Sequence, residues 1–154
     1  PGRPRFILDT HLGRLASYLR MLGFDTLYRN DYPDDELARV SADEDRILLT
    51  RDLGVLKRSI VTYGYFVRQT NPRLRLHEIN QRYNLVAHAQ PFKHCMKCNG
   101  LLHPVPKESV AHQLPVDVLE FYETFHQCDT CQQIYWKGSH YQKMEQMIAE
   151  IMQE

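Results

Sequence analysis

The chain has 154 residues, 43% of them apolar, enough for one well-packed domain or for one domain with a small appended module. No apolar run is long enough to cross a bilayer and none opens the chain as a secretory signal would, so a soluble, cytoplasmic protein with no membrane partner is expected. The formal net charge is zero, which argues against a protein that finds nucleic acid through a strong global field.

That zero hides an asymmetry. Residues 1–90 hold 14 of the 19 basic and 11 of the 19 acidic residues, which leaves them at +3 and the remainder at −3. Thirteen of those 14 bases are arginines, whose planar fork suits phosphate, whereas all five later bases are lysines. Phosphate recognition therefore belongs to the front part. The first residue is Pro1 and not methionine, which suits either processing or an upstream domain.

In chain order, the front alternates strand and helix, the pattern of an α/β sheet with mostly parallel strands. Phe6-Ile7-Leu8 is an apolar run suited to a buried strand. Leu12, Leu15, Ala16, Leu19 and Leu22 then make one helical face, closed by Gly23. Thr26-Leu27-Tyr28 is a second strand, Asp34 opens a helix through about Ala42, and Ile47-Leu48-Leu49 forms a third strand ending at Thr50. A short helix from Leu53 to about Arg58 leads to a fourth strand, Tyr65-Phe66-Val67. Asn71-Pro72 starts a helix through Tyr83, with Leu76, Ile79 and Tyr83 on one face. The pattern lapses between Ala87 and Pro91, so the expected division is a domain at 1–90, a metal-binding module at 91–140 and a C-terminal helical segment at 141–154. In that segment Met144, Met147, Ile148 and Ile151 recur at helical spacing and should dock on one of the two parts.

All four cysteines fall in two matching pairs, Cys95-x-x-Cys98 and Cys128-x-x-Cys131, with 29 residues between them. Each turn offers two thiolates to one ion, and two such turns close a tetrahedral four-sulfur site typical of structural zinc. Disulfides or redox dithiols are the competing reading, and His94 and His126 stand close enough to replace a cysteine, but four thiolates are the simpler set. The long intervening stretch must carry inserted structure, for which Val116, Leu119 and Phe121-Tyr122 suggest a helix.

Three aspartates fall where ligands bind open α/β sheets, at the carboxyl ends of strands. Asp9 follows the first strand, Asp52 follows the third, and Asp34 begins the helix between the second and third. Such acids, distant in sequence, suit a magnesium or manganese site, which takes hard oxygen ligands and could activate water against a phosphodiester. Each also suits a helix N-cap. The front part has no cysteine, no glycine-rich phosphate loop and no serine elbow.

The ordered set Phe6-Ile-Leu-Asp9, Leu12-Gly-Arg-Leu-Ala16, Leu19-Arg-Met-Leu-Gly23, Asp34-Asp-Glu-Leu37, Arg46-Ile-Leu-Leu-Thr-Arg-Asp52, Cys95-x-x-Cys-Asn-Gly100 and Cys131 through His140 resembles the Mut-seven C-terminal RNase domain family, from about Arg5 to Tyr141. The resemblance implies a PIN-like (Rossmann-like) three-layer fold followed by a zinc ribbon, and hydrolysis of RNA, single-stranded or structured, with magnesium or manganese. It places the family's acids on Asp9, Asp34 and Asp52, with Asp35 as an alternate to Asp34. One departure stands out: residues 53–70 contain no acid, where PIN nucleases often have a fourth.

Arg14, Arg51, Lys57 and Arg68 are the candidates for phosphate contacts, each with solvated surface charge as its ordinary alternative. In the ribbon, Tyr135, Trp136, His140 and Tyr141 offer rings on which unpaired bases stack, although a small ribbon also needs aromatics for its own core. Two functions remain: a metal-dependent ribonuclease, or a binding or adaptor module in which the fold has lost activity and docks RNA or a protein partner.

Overall fold

The computed structural model describes residues 3–153, with Met152 described by its backbone alone; Pro1 and the final residue of the expected C-terminal segment lie outside the described residues. Four short apolar runs become strands: β1 (Phe6–Leu8), β2 (Thr26–Tyr28), β3 (Ile47–Thr50) and β4 (Gly64–Phe66). They form one sheet in the order β2-β1-β3-β4, and every neighbouring pair is parallel. Burial on both faces explains why β1 and β3 read as unbroken apolar runs instead of alternating ones.

Side chains on β1 turn to opposite faces with the period of two that a strand imposes. Phe6 and Leu8, with Leu49, pack under α1 (Gly13–Met21) and α4 (Pro72–Tyr83), while Ile7 and Leu48 pack under α2 (Asp34–Glu44) and α3 (Leu53–Leu56). The result is a helix–sheet–helix sandwich. In α1 the buried Leu15, Ala16 and Leu19 keep the three- and four-residue spacing seen in the sequence. Gly23 ends that helix at φ +92°, and a β-carbon there would stand 2.2 Å from the Gln90 carbonyl oxygen. Both the left-handed turn and the close approach of later chain require glycine at this position. At the start of α4 the Asn71 side chain accepts hydrogen bonds from the Arg73 and Leu74 amides, and Pro72 occupies the first turn.

After a 3-10 turn at Val86–His88 comes a second, antiparallel sheet of β5 (Leu102–Val105), β6 (Phe125–Cys128) and β7 (Ile134–Tyr135). Between β5 and β6 lie α5 (Lys107–Val110), a 3-10 turn (Ala111–Gln113) and α6 (Val116–Phe121), the inserted structure that the long cysteine spacing called for. This part has a core of its own, built on Val110, Phe125 and Ile134. The chain then returns to the front in α7 (Ser139–Met152), whose Met144, Ile148 and Ile151 join the same core as Leu76 and Ile79, with an Arg73–Glu150 ion pair at 2.9 Å on the rim. Among the described residues no helix is long and apolar enough to cross a membrane.

Polar contacts bind the two parts at the amino-terminal edge of the large sheet. Buried Arg20, near the end of α1, donates to the carbonyls of Thr26 (2.9 Å) and Met96 (3.0 Å). Asn99 accepts from the Thr26 amide (2.9 Å) and donates to Asp25 (2.7 Å), whose same oxygen takes the buried Arg46 guanidinium at 2.8 Å.

Candidate functional site

The order of the large sheet reverses beside β1: α1 leads from β1 to β2 on one side, and α2 leads back across to β3 on the other. At such a reversal the carboxyl ends of the two central strands splay and leave a crevice. Asp9 and Asp52 stand on its two lips. Asp9, Asp34 and Asp52 line one cleft of about 230 Å³ there, together with Thr10, His11, Tyr32 and Arg51.

Each acid is held differently. The Asp9 amide donates to Leu49, Oδ1 accepts from the Thr10 amide at 2.7 Å, and Oδ2 accepts from the Thr50 hydroxyl at 2.7 Å. That carboxylate does not cap α1, where no side chain does so. Asp52 does cap: its Oδ1 takes the Gly54 amide at 2.8 Å and starts α3, which leaves Oδ2 for other work. Asp34 is the first helical residue of α2, follows Pro33, and makes no side-chain cap bond. With Asp35 and Glu36 it puts acidic side chains in the first turn, at the positive end of the helix dipole. Asp35 does not line the cleft.

Thr50 is the residue that sequence reasoning passed over. Fully buried, it donates to Asp9 and accepts from the Asp52 amide at 3.0 Å, so one hydroxyl ties the two strand ends together. Tyr32 and Arg75 were also missed. Tyr32 closes one side with the Arg29 guanidinium 4.7 Å above its ring, and burial raises its phenol's pKa. Arg75 reaches from α4 to the carbonyls of Gln69 (2.8 Å) and His11 (3.4 Å); burial and then the nearby Arg51 charge lower its pKa, so two cations stand beside the cleft.

The proposed phosphate contacts separate. Arg51 lines the cleft, but its Nη1 donates to the carbonyls of Val67, Arg68 and Gln69 and so spends part of its fork on the end of β4. Arg14 and Lys57 are exposed and off the cleft, and Arg68 lines a separate hollow with Glu78 and Arg82.

The cysteines converge. Sγ atoms of Cys95, Cys98, Cys128 and Cys131 all lie within 4.8 Å of one another, with Cys95–Cys131 at 3.6 Å and Cys98–Cys128 at 3.5 Å. A tetrahedral zinc with 2.3 Å bonds needs sulfurs about 3.8 Å apart, so the arrangement is compatible with that ion and with no disulfide. Amides of Gly100, Thr130 and Cys131 point at the sulfurs, and the Tyr135 hydroxyl lies 3.0 Å from Cys95. Burial opposes ionisation of Cys95, yet Tyr135 and the Cys98 and Lys97 amides bring it down to about 7. The histidines are not ligands here: His94 bonds the Asn99 carbonyl oxygen through Nδ1 at 2.9 Å, and His126 stacks on Phe92. Tyr135, Trp136, His140 and Tyr141 line a hollow of their own beside the ribbon.

Among the described residues the cysteines are the ligating atoms drawn together closely enough to hold an ion as they stand; the aspartates share a cleft without closing to that spacing. Compared with known proteins, residues 4–148 match the family described as the Mut7-C RNAse domain. No curated protein and no solved structure matches the chain.

Proposed function

The chain belongs to the Mut7-C RNAse domain family, and from that premise we propose that it is a PIN-like ribonuclease that hydrolyses RNA phosphodiesters at the cleft of Asp9, Asp34 and Asp52. The observation that carries this reading is that three acids separated by 25 and 18 positions of sequence, with Arg51 beside them, line a single crevice at the strand-order reversal.

The donor set fits magnesium or manganese. Carboxylate oxygens are hard ligands, and such ions are held by a few carboxylates while keeping several waters, which suits acids that share a cleft without closing on one another. When bound, the ion supplies Lewis acidity to a phosphoryl oxygen and lowers the pKa of attacking water. Asp9 and Asp52 would hold it from the strand ends and Asp34 from the start of α2. The chain's own contribution is positional. The Thr10 amide and the Thr50 hydroxyl hold the two Asp9 oxygens, each with a further lone pair for an ion, and the Gly54 amide holds one Asp52 oxygen and leaves the other to face it. Arg51 and Arg75 place positive charge where a phosphate would lie. The cysteine cluster binds zinc as a closed structural site with no open position for chemistry.

An adaptor that has lost activity remains the rival, favoured by the lack of any acid in residues 53–70. The test is cleavage of labelled single-stranded RNA by the zinc-loaded chain, freed of loosely held ions, before and after adding magnesium or manganese. Cutting that appears only with the ion is the expected result. Binding without cutting on several RNAs would instead establish the adaptor.

A further inference from the structure

A second cavity, of about 250 Å³, lies between β7 and the start of α7. Its walls are rings, those of Phe92, Tyr135, Trp136 and Tyr141, and its polar groups are few, Ser139 and His140 among them. Phe92 adopts the left-handed conformation at φ +62°. That backbone places its ring in a parallel stack, 4.8 Å and 9° from His126 on one hand and 4.7 Å and 13° from Tyr141 on the other, so both its faces are taken and stacking in the cavity falls to Tyr135, Trp136 and Tyr141. Lys137 Nζ stands 5.8 Å from the Tyr141 ring and 3.4 Å from Glu145, so the cation beside the aromatic wall is shared with a carboxylate.

We propose that this cavity binds one unpaired base of an RNA strand, between the ribbon and the C-terminal helix. The inference rests on RNA being the substrate class of the cleft. Flat apolar walls with a few polar groups at the mouth are what a nucleobase takes: stacking on its faces and hydrogen bonds at its edge. The volume falls below the roughly 300 Å³ at which drug-sized pockets begin, so a single ring system fits where a peptide helix does not. A base can enter only when it is unpaired and unstacked, so the cavity selects single-stranded RNA. Its position also matters. Met96, on its wall, takes the Arg20 guanidinium near the end of α1 that is remote from the Asp9 cleft. The anchored base therefore lies toward the amino-terminal edge of the large sheet, opposite the edge that carries the Asp9 cleft.

Trp136 is the one tryptophan of the chain and lines the cavity, so its fluorescence reports occupancy. The zinc-loaded full chain would be titrated, without magnesium or manganese, with a short single-stranded oligoadenylate RNA and with an abasic oligomer of the same length. Saturable quenching by the first and not the second is expected. Ser139→Phe, which fills the cavity, and His140→Ala, at an exposed position, should each weaken binding about five-fold or more, the lower end of one base stack. Equal quenching by the abasic oligomer, or binding unchanged in both variants, would overturn the proposal. If cutting occurs in manganese without base-dependent quenching, the cavity assignment fails and the nuclease stands; quenching without cutting leaves the cavity assignment and removes the nuclease.

Discussion

Thr50 carries no charge, yet it is the residue on which the cleft geometry turns. Itself fully buried, it donates its hydroxyl proton to Asp9 and accepts from the Asp52 amide. Thr50→Val keeps the shape and removes both bonds, leaving the Asp52 amide without its partner, so a stability loss of about 1–3 kcal/mol is expected in urea unfolding, together with slower RNA cleavage. Full activity in a destabilised Thr50→Val protein would show that the link is merely structural. The place of the three aspartates was legible in sequence because Asp9 follows the first apolar run at once, Asp52 stands two residues past the end of the third at Thr50, and Asp34 stands where a helical pattern opens. Thr50, Tyr32 and Arg75 were not, because their parts depend on reaching across elements: Arg75 meets His11 from 64 residues away. Nearness along the chain misled in the opposite direction, since Arg14 and Lys57 stand close to aspartates in sequence and lie off their cleft.

At the level of elements, the contact between the first cysteine turn and β2 joins the two sheets through Asn99 and Asp25. Burial would raise the Asp25 carboxyl, but hydrogen bonds from Arg46 and Asn99 overcome that and hold its pKa below the ordinary value. A depressed carboxyl contributes stability above its unfolded pKa, about 3.9, and loses it as the pH falls through the folded value. Asn99→Ala should therefore lower the melting temperature at neutral pH and flatten the acid limb of the stability curve; an unchanged acid limb would mean that Asn99 does not support the Asp25 charge. The four parallel strands and the helices between them were readable from apolar runs and helical spacing. The ribbon strands were not, since β5 carries His103 and Pro104 and β6 carries His126 and Gln127, leaving no clean alternation. Pro104 is tolerated because β5 is an edge strand, paired with β6 alone.

For the whole molecule, the ribbon and the sheet domain share more than a linker. The C-terminal helix closes the core of the sheet domain, and Arg20 spans from α1 to the first cysteine turn. If the four-cysteine cluster holds zinc as proposed, the binding free energy is folding free energy for this part. Chelation, or Cys128→Ser, should unfold the ribbon and lower the melting temperature of the sheet domain as well, with two separate transitions in calorimetry contradicting that coupling. The convergence of the four sulfurs was legible from cysteine spacing because a Cys-x-x-Cys turn fixes its sulfurs locally; how the second sheet sits on the first was not, because it depends on Asn99, Arg20 and α7 acting together. The proposed function puts RNA cutting at the aspartate cleft. Asparagine caps a helix about as well as aspartate, so Asp52→Asn retains the start of α3 while removing one of the three carboxylates of the cleft. The decisive measurement is the initial rate of RNA cleavage against manganese concentration for Asp52→Asn beside the unaltered chain, both with zinc bound. A rate at least about a hundred-fold lower at an unchanged melting temperature, on the scale of one lost catalytic electrostatic contact, is predicted; equal rates would place the chemistry elsewhere.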